Sequence, residues 1–118
     1  MEKDMESHAR RLDRVERARD ENDGARRVLQ RAQRDAEEFH AWSRKWRGEC
    51  AAMLPADTHS RLLFDSLSSS MDEGCAKSLS AAEDALEENR RDRLELDARR
   101  DRILEDRERA ARREGGPR

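Results

Sequence analysis

At 118 residues, with 34% hydrophobic, 46% charged and 3% aromatic side chains, the chain forms one domain at most and cannot surround a globular core. Its 26 Lys and Arg and 28 Asp and Glu are interleaved and nearly balanced, which excludes the one-signed surface that a nucleic-acid binder presents. What such a composition can bury is a helix seam, and apolar residues at regular spacing separate this chain from a disordered one of the same mean hydropathy, -1.27.

Residues 1–7 read as a polar lead-in that frays, with Asp4 or Ser7 available to cap the first helix. From His8 the apolar positions settle into a stripe of Val15, Ala18, Asn22, Ala25, Leu29, Ala32, Ala36, Phe39, Trp46, Cys50 and Met53, flanked by Leu12, Val28 and Trp42. The spacing alternates three and four, which is a heptad repeat and predicts a left-handed supercoil with a second helix. Gly24, beside Asn22 and Asp23, marks an expected weak point inside this helix, since glycine costs about 1 kcal/mol there.

The helix has to stop at Met53-Leu54-Pro55-Ala56-Asp57-Thr58-His59-Ser60. Pro55 disfavours helical geometry at Leu54 and lacks the amide that a helix interior needs, and Asp57 or Thr58 can cap a new helix. A chain that folds back here brings together residues whose numbers sum to about 111. The pairs are Val15 with Leu96, Ala25 with Leu86, Leu29 with Ala82, Ala32 with Leu79, Ala36 with Cys75, Trp46 with Phe64 or Asp65, and Asn22 with Asn89. Most of them set a large side chain against a small one, the arrangement that two close helices require. The fold class is therefore all-α, two long antiparallel helices in a coiled-coil hairpin: helix 1 over about 7–53, a turn at 54–57, helix 2 over about 58–113, and a flexible tail at 114–118.

Helix 2 carries Leu62, Leu63, Phe64, Leu67, Met71, Cys75, Leu79, Ala82, Leu86, Asn89, Leu96 and Ile103. Its first third is rich in serine and includes Gly74, a weak helix former that packing must hold. Its last third pairs Glu87 with Arg91, Glu95 with Arg99, Glu105 with Arg109 and Glu108 with Arg112 at the favourable four-residue spacing. All four aromatic side chains fall between positions 39 and 64, so the burial energy is expected to concentrate near the turn. Two helices cannot cover two Trp and two Phe. Phe39, Trp42, Trp46, Leu63, Phe64 and Leu67 are accordingly the expected partner-binding surface.

Nothing in the residues points to catalysis, a cofactor or a metal. His8, His40 and His59 are scattered, and no glycine-rich phosphate loop is present. Cys50 and Cys75 obey no metal spacing and lie roughly 21 Å apart along the hairpin, too far for a disulfide. Arg-Arg steps such as Arg10-Arg11 and Arg99-Arg100 sit among carboxylates and read as solvated helix face. The absence of a long apolar run or a signal peptide at Met1 leads to the expectation of a cytoplasmic protein without membrane insertion. The expected partner is a helical protein, with a secreted toxin and a second small helical protein as candidates and no nucleic acid, and the alternative occupant of the same patch is a second copy in a homodimer.

The tripeptide Trp46-Arg47-Gly48 before the turn of a helical hairpin resembles the WXG family of small proteins exported by type VII secretion systems, although the Tyr-based signal of that family has no counterpart here. The chain is more similar to the small helical accessory proteins of LXG-type toxins, on Phe39, Trp42, Trp46, Leu54, Phe64 and Leu67 around the turn. That resemblance implies a non-enzymatic cytoplasmic targeting factor, or chaperone, that binds the helical N-terminal domain of a toxin and is in some cases co-exported with it. The stretch from Asp35 to Trp42 is similar in style to the stalk proteins of type III secretion and flagellar export ATPases, which use the ends of their helices. A generic coiled-coil scaffold is the remaining alternative.

Overall fold

The computed structural model describes residues 2–115, with side-chain environments from Met5 onward. Two α-helices, α1 (Glu2–Met53) and α2 (Thr58–Glu114), are joined by residues 54–57, and the fold is the all-α antiparallel hairpin expected from the turn at Pro55. The helix α1 begins at Glu2 rather than near residue 7 and runs through Asp4 and Ser7, so neither residue caps it. A Glu6–Arg10 ion pair of 3.2 Å across one helical turn supports this early start. At the far end α2 continues to Glu114, and the Gly115 amide donates to the Ala111 carbonyl at 2.9 Å. The rest of the expected tail, residues 116–118, lies outside the described residues.

Pro55 ends α1, and Asp57 starts α2. One Asp57 carboxylate oxygen accepts the Ser60 backbone amide at 2.6 Å and the other accepts the Ser60 hydroxyl at 2.8 Å, which makes Asp57 the N-cap and settles the choice between Asp57 and Thr58. These bonds hold the Asp57 carboxyl below its ordinary value of 3.8. Glu16, hydrogen-bonded by Arg100, is held below 4.5 in the same way. A depressed folded-state pKa contributes stability above the unfolded value and loses it as pH falls through the folded value. The melting temperature is therefore expected to be flat from pH 7 to about 5 and to fall below about pH 4.5. Asp57→Ala should lower the melting temperature by a few degrees at pH 7 and flatten the acid limb. Equal acid slopes for variant and parent in thermal melts would contradict the cap's part in it.

The chain divides into two compact units, residues through Arg27 together with Glu87 onward, and Val28–Leu86. In the first, Asn22 and Asn89 meet as the 111 register requires. The Asn22 amide donates to the Asn89 carbonyl at 3.0 Å, and the Asn89 amide donates back to the Asn22 carbonyl at 3.2 Å, with both residues buried. Around them Arg93 bonds Asp23 at 2.7 Å and the Arg19 carbonyl at 3.1 Å, Arg19 bonds Asp97 at 3.0 Å, and Arg100 bonds Glu16 at 2.5 Å. The helix runs unbroken through Gly24, because Asn22 and Asp23 are both tied across the seam. The four pairs expected along α2 are present, at 3.5 Å for Glu87–Arg91, 2.9 Å for Glu95–Arg99, 3.9 Å for Glu105–Arg109 and 2.6 Å for Glu108–Arg112.

The seam differs from expectation in one respect with large consequences. Asn22, Leu29 and Ala36 lie inward as expected, and the same seven-residue step continues to Ser43 and Cys50. The other inward row is not Ala25, Ala32, Phe39, Trp46 and Met53, all of which are exposed. From Gln33 onward it is the row one residue later, Gln33, His40, Arg47 and Leu54, whereas nearer the open end Leu12, Ala18 and Arg19 are all half-buried and Ala25 and Arg26 both exposed. One residue is about 100° of helix rotation, which swings the whole aromatic row out of the seam. The buried apolar side chains are consequently not concentrated near the turn. Of the three hydrophobic residues buried among the described residues, Val15 and Ile103 belong to the first unit and Cys75 to the second.

Candidate functional site

Within the Val28–Leu86 unit, the residue that displaces tryptophan from the seam is Arg47, 7% exposed. Its guanidinium donates to the Ser43 carbonyl at 3.2 Å, the Ser68 carbonyl at 2.8 Å and an Asp72 carboxylate oxygen at 2.6 Å. Ser43, fully buried, and half-buried Ser68 occupy positions that sum to 111. Two serines facing each other leave room for a flat guanidinium to reach across, which two bulky side chains would deny. The hydrogen bond to Asp72 raises the Arg47 pKa above its ordinary value. Asp72 is in turn held low by that bond and by the charges of Arg47, His40 and Arg44.

The same rotation builds an apolar face on the opposite flank of the seam. Phe39, Trp42 and Trp46 recur at three- and four-residue steps, which places them on one side of α1. Phe39 and Trp42 have ring centroids 5.9 Å apart and tilted by 35°, and Trp42 and Trp46 stack at 6.0 Å with planes 12° apart. These separations are those of favourable aromatic pairs. All three rings stay wet, at 53%, 56% and 40% exposure respectively.

Beside Phe39 runs an open groove of about 550 Å³ lined by Asp35, Ala36, Phe39, Met71, Gly74, Cys75 and Ser78. The α2 edge of this groove contains Gly74, and Leu67 lies seven residues before it and Leu63 eleven before, on the same side of the helix. Both leucines are exposed. Five of the six residues expected at the partner surface are therefore exposed, and the rings of three of them touch. Phe64 is placed differently, half-buried in the seam, while Leu62 is exposed on another side of α2.

Arg47, Ser43, Ser68 and Asp72 were not among the residues expected to matter. The sequence did contain a signal for them. Strict seven-residue steps from Leu29 pass through Ala36 to Ser43, and Ser43 pairs with Ser68 in the same register that pairs the asparagines. The large apolar residues drew the seam to themselves. Among the described residues, no group of three or more His, Cys, Asp or Glu side chains could hold a metal ion. Nor is any helix among them long and apolar enough to cross a membrane. Cys50 is half-buried and Cys75 buried, both as free thiols. No protein-family model matches the chain, and neither a curated protein nor a solved structure matches it.

Proposed function

We propose that the chain is a helical adaptor that captures a helical protein through Phe39, Trp42, Trp46, Leu63 and Leu67. The observation that supports it is the wet aromatic stack, Phe39 on Trp42 on Trp46, flanked by exposed leucines. A ring system of this size carries roughly 150–250 Å² per residue, so about half exposure on three rings leaves several hundred Å² of apolar surface. Trp residues at such a density are the usual anchors of protein interfaces. The similarity of Phe39, Trp42, Trp46, Leu54, Phe64 and Leu67 around the turn to accessory proteins of LXG-type toxins supports taking the partner to be the helical N-terminal domain of such a toxin. The adaptor then acts in the cytoplasm, as a chaperone or targeting factor that delivers the toxin to a type VII secretion system.

The test is capture of the toxin domain by purified chain and by Trp42→Ala and Trp46→Ala. Each substitution should weaken binding by about 2 kcal/mol, roughly thirtyfold in Kd, while circular dichroism stays unchanged because neither ring belongs to the seam. Wild-type affinity in both variants would remove this face as the interface. Contacts at the helix ends, as in an export-ATPase stalk, would then be the better reading.

A further inference from the structure

In the unit that joins the residues through Arg27 to those from Glu87 onward, the two helices border an open groove of about 720 Å³. Buried Val15 and Ile103 line its floor. Its walls carry five arginines, Arg11 and Arg14 on α1 and Arg99, Arg102 and Arg109 on α2. The two carboxylates among them are already engaged within the chain, Glu105 with Arg109 at 3.9 Å and Asp106 with Arg11 at 3.7 Å. Arg99 has Glu95 at 2.9 Å. Arg14 and Arg102 form no ion pair among the described residues, and both are exposed. Arg14 has no carboxylate to reach in its own helix, since the positions one turn away are Arg10, Arg11, Arg17 and Ala18. In a chain whose charges balance overall, this groove is locally basic.

We propose that the groove docks a short acidic amphipathic helix of a partner protein, which sets carboxylates on Arg14 and Arg102 and an apolar side chain over Val15 and Ile103. The sign follows from the two unpaired guanidiniums, whose forks match carboxylates in two-bond geometry. The occupant is helical because Arg99, Arg102 and Arg109 recur on one side of α2, as Arg11 and Arg14 do on α1, so carboxylates repeated once per turn meet them in register. It is short because the neighbouring groove, which shares Arg99, is otherwise charged by Glu21, Asp92 and Glu95. An extended polyanion such as a nucleic acid laid along the helices would run from the arginines onto these carboxylates, whereas a helix of about three turns, roughly 16 Å, ends before them. The groove and the aromatic face belong to different units, so the two sites are tested separately.

The probe is a lactam-stapled, three-turn peptide with Leu on its apolar stripe and Glu on its flanks, labelled for anisotropy and titrated with the full chain at low salt, alongside a version with Gln in place of Glu and a labelled oligonucleotide of matched charge. The Glu peptide should bind, less tightly as salt is added, and the Gln peptide about tenfold more weakly. Arg14→Gln and Arg102→Gln should each weaken the Glu peptide about tenfold and melt with the parent, because neither removes an ion pair of the chain. Arg90→Gln takes the same charge from the opposite side of α2 and should leave the affinity unchanged. An equal loss in Arg90→Gln, or wild-type affinity in both groove variants, would overturn the site. A Glu peptide that fails to bind the wild-type chain, or an oligonucleotide that binds more tightly, would overturn the stated occupant. Loss of peptide binding in Trp42→Ala would move the contact to the aromatic face, and self-association at micromolar concentration that Arg14→Gln abolishes would put a second copy in the place of the partner.

Discussion

Arg47→Ala is expected to lower the melting temperature by about 10 °C, more than Arg→Ala at any exposed position of the chain. The guanidinium is the only charged group buried between the helices of the Val28–Leu86 unit, and it spends all three kinds of its nitrogens on Ser43, Ser68 and Asp72. Truncation removes those bonds and leaves a void between two serines that cannot fill it. Arg47→Met keeps the length and the apolar stem, and since Asp72 is half-exposed and can return to water, this variant should retain most of the lost stability. Thermal melts of both variants decide it. If Arg47→Ala melted with the parent, the rotation of the seam that brings Arg47 inward would be wrong, and the outward placement of Trp46 would go with it.

The double substitution Asn22→Leu with Asn89→Leu is expected to act in the opposite direction on stability, raising the melting temperature by about 5 °C. Each buried amide donates one hydrogen bond to the other residue's carbonyl, but the Asn22 side-chain oxygen has no partner. A buried acceptor left unmade costs more than a made bond returns, so two leucines are the more stable filling. What the asparagines supply is register, because the reciprocal pair forms only when position 22 lies opposite position 89. Spin labels at positions 15 and 96 should therefore show a broader distance distribution in the double variant than in the parent. A lower melting temperature would mean that the two amide bonds outweigh apolar burial at this point of the seam.

These two sites divide what could be read from the chain from what could not. Pro55 and Asp57 act on their own backbone neighbours, and the alternation of three and four reports a helix before any partner is known. The turn, the two helices and their antiparallel pairing were thus legible, down to the meeting of Asn22 with Asn89. The Glu–Arg pairs along the end of α2 were legible for the same reason, since both partners lie one turn apart in one helix. Two rows of α1, one residue apart, both fit the heptad spacing, and hydrophobicity favoured the row of Phe39, Trp46 and Met53. Tertiary packing chose the other row, in which Ser43 faces Ser68 and Arg47 finds acceptors on both helices, because a two-helix seam has width for small side chains and a flat guanidinium but not for stacked indoles. Sequence alone determined that the chain is a hairpin with more apolar surface than a hairpin can cover. Which side of α1 carries that surface was decided only when the second helix supplied the Ser68 carbonyl and the Asp72 carboxylate, whose hydrogen bonds no local pattern encodes.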